Sequence, residues 1–303
     1  MIHEKTIKRE VYFSGIGLHS GRPITMRCVP APTGSGVIFK RMDLGSVSIP
    51  VREADIVSTV YSTTIGIDGV RVQTVEHLLA ALSALEIDNL FVELTGEEVP
   101  IADGSATPFI NLILEAGIIE QAALREVMTL TEPLTLTDDT GTKWITLHPA
   151  ASLQISYTIE FDHPLISRQS YTYRHSPDAF IKEIASARTF GFLSDVKRLL
   201  ENGLARGGSL ENAIVVGEDK ILNEGGLRFD NEFVRHKILD LVGDLALLGT
   251  QILGRIEAHH AGHLLHTRLI EALRKRNQDK SLLPTKSQET FQSVLARTLL
   301  SVS

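Results

Sequence analysis

The stretch Phe233-Val234-Arg235-His236-Lys237-Ile238-Leu239-Asp240-Leu241-Val242-Gly243-Asp244 concentrates the residue types that do chemistry. Residues four apart share one face of a helix. His236, Asp240 and Asp244 therefore stack on one side, while Ile238, Leu239, Leu241, Val242 and Leu245 supply the apolar remainder. A histidine and a carboxylate one turn apart can bind a single metal ion, and a further carboxylate can orient a ligand or a catalytic imidazole. A solvated His/Asp face has the same pattern. A catalytic zinc site usually has three protein ligands and one open position. His77, preceded by Glu76 at the start of another helical segment, is the candidate third ligand. The helix dipole there disfavours imidazolium and keeps the ring able to ligate. Glu76 is a good first-turn residue, and a carboxylate beside a metal-bound water is also what a general base requires. The His-Glu-x-x-His pattern of the common zinc peptidases is absent. In His259-His260-Ala261-Gly262-His263-Leu264-Leu265-His266, His263 follows a glycine at a strand-to-helix turn, a typical place for a catalytic side chain. His259, His260 and His266 read as merely exposed.

Two similar halves would have to position these residues. Short β-branched or alternating runs at 11–13, 24–29, 36–39 and 47–51 read as strands, with turns at Pro30, Pro32, Gly34 and Gly36. A helix over 74–85, with Thr74 as N-cap, a strand at 89–94 and a helix over 107–115 closed by Gly117 follow. Strands at 127–130, 144–147 and 153–161, then helices over 178–187 and 195–202, open the second half. It continues with a strand at 213–216, a long helix over 231–248, a strand at 256–259 and a helix over 264–276. Val75-Glu76-His77 and Val234-Arg235-His236 open matching helix–strand–helix units, which suggests an internal duplication with halves 1–125 and 126–303 and a boundary near 121–126. Strands grouped with helices argue for an α+β fold.

Composition narrows the class. The 303 residues are 43% hydrophobic, 22% charged and 6% aromatic, which excludes disordered, collagenous and disulfide-framework chains. Thirty Lys and Arg against 37 Asp and Glu leave a net charge of −7, a poor basis for general nucleic-acid binding. The lone cysteine, Cys28, permits no intramolecular disulfide and reads as a small apolar strand residue. Apolar runs fall short of the ~20 residues of a membrane span, and the polar start lacks the apolar run of a signal peptide. A cytoplasmic monomer without membrane insertion is the expectation.

Several motifs in order, Gly15-Ile16-Gly17-Leu18-His19-Ser20-Gly21, Thr74-Val75-Glu76-His77-Leu78, Asp103-Gly104-Ser105-Ala106, Ala187-Arg188-Thr189-Phe190-Gly191-Phe192, Phe233-Val234-Arg235-His236-Lys237 and Gly262-His263, carry a resemblance across nearly the whole chain. The chain resembles the UDP-3-O-acyl-N-acetylglucosamine deacetylases, zinc amidases of bacterial lipid A synthesis. The resemblance implies two similar two-layer α+β sandwiches with the active site between them. It implies a zinc ion, with iron(II) able to take its place, on His77, His236 and Asp240. Glu76 would be the general base and His263 the general acid supported by Asp244, with Thr189 stabilising the oxyanion. Lys237 would contact the substrate and Lys143 the nucleotide, Phe161 and Phe192 would lie at the uridine and the site mouth, and an insertion at 192–216 would form an acyl tunnel. The substrate implied is a nucleotide-sugar lipid precursor. Two positions depart from the pattern: Tyr61 stands where some members have a cysteine near the metal, and His260 where some have a lysine near the diphosphate. A zinc amidase for another acetylated sugar or peptide, and a non-catalytic metal-binding regulatory protein, are the alternatives; a binding protein needs neither Glu76 nor His263.

Overall fold

The computed structural model describes residues 2–281, so expectations reaching to residue 303 lie partly outside the described residues. Residues up to Ile270 belong to one compact unit, and the described residues beyond it, 271–281, continue the last helix.

Two five-stranded sheets dominate that unit, and their connectivity is the same. The first runs in the order Val11–Ile16, Pro23–Pro30, Leu90–Leu94, Val37–Arg41, Val47–Pro50. The second runs Leu134–Thr137, Trp144–His148, Arg255–His259, Gln154–Glu160, Arg168–Arg174. In each, the strand last in sequence sits at the centre, antiparallel to the second strand and parallel to the third. A parallel neighbour needs a long crossover, and in both sheets that crossover includes a helix. Burial alternates along these strands: Leu90, Val92 and Leu94 point inward in one, Ile155, Tyr157 and Ile159 in the other.

Among the described residues six α-helices accompany the sheets: α1 (Glu76–Ala84), α2 (Thr107–Ala116), α3 (Pro177–Glu183), α4 (Leu193–Glu201), α5 (Glu232–Leu245) and α6 (His263–Ser281). The mixture is α+β, as the segment pattern indicates. Helices α1 and α2 flank the central strand of the first sheet in sequence, and α5 and α6 flank that of the second. Burial covers eight of nine residues in α1 and twelve of fourteen in α5, which marks both as interior helices. They pack on each other, and Gly243 sets how closely. A Cβ there would lie 2.0 Å from the Glu76 carbonyl oxygen. Gly243→Ala is therefore expected to force the helices apart, lowering stability by about 1–3 kcal/mol and disturbing Glu76 and His77; denaturant unfolding and a metal-binding isotherm measure the two effects.

Several local expectations need correction. Thr74 does not cap α1: its φ is +58° and its hydroxyl donates to Glu98 Oε1 at 3.1 Å, so the buried carboxylate takes the group a cap would use. The helix expected over 178–187 stops at Glu183, because the Ala185 carbonyl accepts the Ala106 and Thr107 N–H groups at the start of α2. The long helix tightens into a 3₁₀ turn over Ala246–Leu248 and ends at Gly249, φ +65°. The sequence reading also passes over a three-stranded sheet, Asp55–Ser58, Thr64–Ile67 and Val70–Gln73, whose strands are four residues each. Cys28 is fully buried in Pro23–Pro30, and burial pushes its thiol up to about 12. Among the described residues no helix is long and apolar enough to cross a membrane.

Candidate metal centre and active site

Helices α1 and α5 bring three donors together. His77 Nε2 lies 3.6 Å and His236 Nε2 3.3 Å from Asp240 Oδ1. All three side chains are buried, and Asp240 Oδ1 accepts no hydrogen bond among the described residues. His236 Nδ1 donates to the Ala187 carbonyl at 3.1 Å, which leaves the Nε2 lone pair facing Asp240. Burial depresses the His236 imidazole to about 3, so it is neutral and able to ligate. Burial opposes charge on Asp240, yet His236 and Lys237 beside it hold its carboxyl well below the usual range. Two imidazole nitrogens and one unpartnered carboxylate oxygen converging in a buried site fit a divalent cation.

The loop after α3 is clamped to the start of α5. Arg188 donates from Nε to Glu232 Oε1 at 2.9 Å and from Nη2 to Glu232 Oε2 at 3.1 Å. This bidentate pair at the first turn of α5 holds Ala187 over His236. Thr189 is held next to it, its N–H donating to the Gly104 carbonyl at 2.8 Å. Gly104, φ +81°, admits no side chain, since a Cβ would meet the Asn212 carbonyl oxygen at 2.1 Å.

Glu76 and His263 flank the donor set. His263, the first residue of α6, places Nε2 3.9 Å from Glu76 Oε1 and 3.8 Å from Asp240 Oδ2. Its Nδ1 lies 2.8 Å from Asp244 Oδ2. Burial disfavours the charged ring, but Asp244, with Asp240 and Glu76, outweighs it and raises His263 to about 9. Glu76 goes the other way from an ordinary carboxylate: burial pushes it up to about 7, with His263 and His77 opposing. The two groups thus sit in environments that favour a protonated imidazole beside a carboxyl able to take a proton near neutrality.

These side chains line a cavity of about 120 Å³ with Leu18, Tyr61, Thr74, Thr189, Phe190 and Lys237. Lys237 is there, its Nζ 2.7 Å from Asp240 Oδ2. Phe161 and Phe192 are not in the lining; they pack beside it, Phe161 against Phe190, Phe192 and His260 at 5.9, 5.7 and 5.0 Å. Lys143 is exposed at a turn, and its charge reaches His260. Tyr61, φ +61°, is half-exposed at the cavity and accepts from Arg198 of α4 at 3.4 Å. Of the histidines read as exposed, His259 and His260 are partly covered and His266 is fully buried, because it faces inward from α6 toward Asp244. The sequence reading misses Thr63, Tyr157 and Phe190, and it misses Glu98, whose carboxylate ties the His19 and Ser20 N–H groups to the start of α1.

An α+β protein with a buried two-histidine, one-carboxylate donor set between a carboxylate and a carboxylate-backed histidine has the make-up of a metal-dependent hydrolase. Comparison with known proteins makes the class specific. Residues 4–275 match the UDP-3-O-acyl N-acetylglycosamine deacetylase family. Proteins named UDP-3-O-acyl-N-acetylglucosamine deacetylase are similar over almost the whole chain. That of Myxococcus xanthus is 48% identical, covering 95% of this chain and 91% of its own. That of Saccharophagus degradans is 43% identical over the full length of both chains, and that of Oleidesulfovibrio alaskensis is 46% identical over 91% of this chain and 90% of its own. The chain belongs to this family of deacetylase metalloenzymes.

Proposed function

We propose that this protein hydrolyses the N-acetyl group of UDP-3-O-(3-hydroxyacyl)-N-acetylglucosamine, releasing acetate and a free 2-amino sugar, at a committed step of lipid A synthesis. The observation that carries this reading is the convergence of His77, His236 and Asp240 beside Glu76 and His263, in a chain of this family. His77, His236 and Asp240 would hold zinc, or iron(II) on the same nitrogen–oxygen set. When bound, the ion acidifies water and polarises the acetamide carbonyl. Glu76 takes the proton of the attacking water, and Thr189 stabilises the oxyanion that develops on the carbonyl oxygen. His263, kept charged by Asp244, gives its proton to the departing glucosamine nitrogen, which is otherwise a very poor leaving group. Lys237 and the Phe161–Phe192 aromatic group supply contacts for the sugar and uridine, with Lys143 and His260 at the nucleotide's outer edge. We read the chain as duplicated halves, 1–125 and 126 onward, meeting at this site, and the protein as a cytoplasmic monomer.

The acetamide is small and common, so selection must use groups remote from the cleaved bond. Helix α4 presents Leu193 and Leu200 to solvent, each about half exposed. The segment after it packs on the Gly17–Ser20 loop: Gly207 N–H donates to the Leu18 carbonyl and Ala205 N–H to His19 Nδ1. An acyl chain seated along 192–216 would cover these leucines. Four buried methylenes amount to roughly 3 kcal/mol, on the order of a hundredfold in kcat/KM. UDP-N-acetylglucosamine without the acyl chain is therefore expected to be a far poorer substrate, and Leu200→Asp to impair long-chain substrates most. Acetate release measured on both substrates decides; equal efficiencies in the wild type would favour a generic amidase.

A further inference from the structure

We propose that His266, backed by Tyr157, is a positioning residue of this site: it holds the Asp244 carboxylate in the orientation that presents His263 to the cavity. The inference rests on the deacetylase reading only for what the positioned histidine then does. Asp244 Oδ1 accepts the Thr63 hydroxyl at 2.6 Å, while Oδ2 lies 2.8 Å from His263 Nδ1 and 2.8 Å from His266 Nδ1. Thr63, Asp244 and His266 are fully buried, and Tyr157 is 1% exposed. One assignment of protons satisfies the chain. A carboxylate oxygen only accepts, so His266 must carry its proton on Nδ1. Burial lowers its pKa and keeps it neutral, which leaves Nε2 an acceptor. The Tyr157 hydroxyl, 3.0 Å away and held protonated by burial, donates to that nitrogen.

The arrangement fixes Asp244 from three elements. Thr63 precedes the strand Thr64–Ile67, Tyr157 lies in Gln154–Glu160, and His266 is three residues beyond His263 on the same face of α6. Thr63 also donates its backbone N–H to Glu76 Oε2 at 3.1 Å, so one frame steadies both the carboxylate and the histidine flanking the donor set. His266 lies behind Asp244 and outside the cavity lining, so it acts through Asp244 rather than on substrate. Outer-shell partners of this kind are worth ~10–100-fold in activity.

The test uses His266→Leu, which removes both ring nitrogens, His266→Asn, whose amide N–H can replace Nδ1, and Tyr157→Phe. In metal-loaded protein, kcat and KM for the acylated UDP-sugar, metal content and the far-downfield imidazole N–H proton resonance are measured. The resonance of His263 Nδ1–H is identified by its disappearance in His263→Ala. Leu is expected to lower kcat by ~10–100-fold with KM and metal unchanged and to shift or broaden the resonance. Asn is expected to restore most of both, and Phe to give the same changes in smaller measure. An unaltered kcat and resonance in folded His266→Leu would overturn the proposal, as would a joint loss of kcat, KM and metal that Asn does not rescue. Should Leu not fold, unaltered values in both Asn and Tyr157→Phe, with Asn no better than Phe, overturn it. The resonance needs no turnover, so a wild type without deacetylase activity would sink the functional reading while the positioning is still decided.

Discussion

His236→Ala is expected to release the metal and abolish turnover together. The ring is oriented before any ion binds, since Ala187 holds Nδ1 and leaves only Nε2 to reach Asp240 Oδ1 at 3.3 Å. Removing it leaves His77 and Asp240, one ligand short of the three that catalytic zinc sites use. Asp240 then has Lys237 at 2.7 Å as its nearest charge, an ion pair that competes with any cation for the carboxylate. The effect on activity should exceed the ~10–100-fold of an outer-shell change. Metal analysis after dialysis and acetate release are the two readouts, and His77→Ala should behave alike. The ligand assignment fails if both variants keep stoichiometric metal while folded.

Helical spacing made part of this site legible. His236 and Asp240 one turn apart do share a target, and the matching Val-x-His at α1 pointed to His77. Asp244 shows where spacing stops: it shares the face, yet its partners are Thr63, His263 and His266, up to 181 residues away in sequence. Thr63 carried no signal, because its hydroxyl and N–H are generic groups placed by a turn beside a four-residue strand. His266 did carry one. With Leu269 and Ile270, both 0% exposed, it follows the helical period of the buried side of α6, and its polarity alone made it look exposed. Lys143 is the converse, a charge that ends at an exposed turn. Strand length did not decide what was legible: the short apolar strands Val127–Thr129 and Ile214–Val216 stood out, whereas the seven-residue Ile118–Leu124 and Arg168–Arg174, mostly exposed or half-exposed and rich in polar residues, did not.

Glu76→Ala and His263→Ala are expected to keep the metal and yet slow turnover by at least ~10²-fold each, the scale of a lost general base or acid. Neither belongs to the three-donor set; His263 Nε2 stays 3.8 Å from Asp240 Oδ2. The pH profile separates their roles. A base works deprotonated, so activity should rise as pH passes the Glu76 value, which burial pushes up to about 7. An acid works protonated, so activity should fall as pH passes the His263 value, raised to about 9 by Asp244 and its neighbouring carboxylates against burial. A bound cation favours the deprotonated form of both and moves both limbs downward without exchanging them. Glu76→Ala should therefore lose the acidic limb and His263→Ala the alkaline one. Glu76→Gln sharpens the comparison, because its amide oxygen can still accept the Thr63 N–H while offering no basic carboxylate. Gln behaving like Ala would place the loss in proton transfer rather than in packing; near-full turnover in either alanine variant would end the acid–base assignment for that residue.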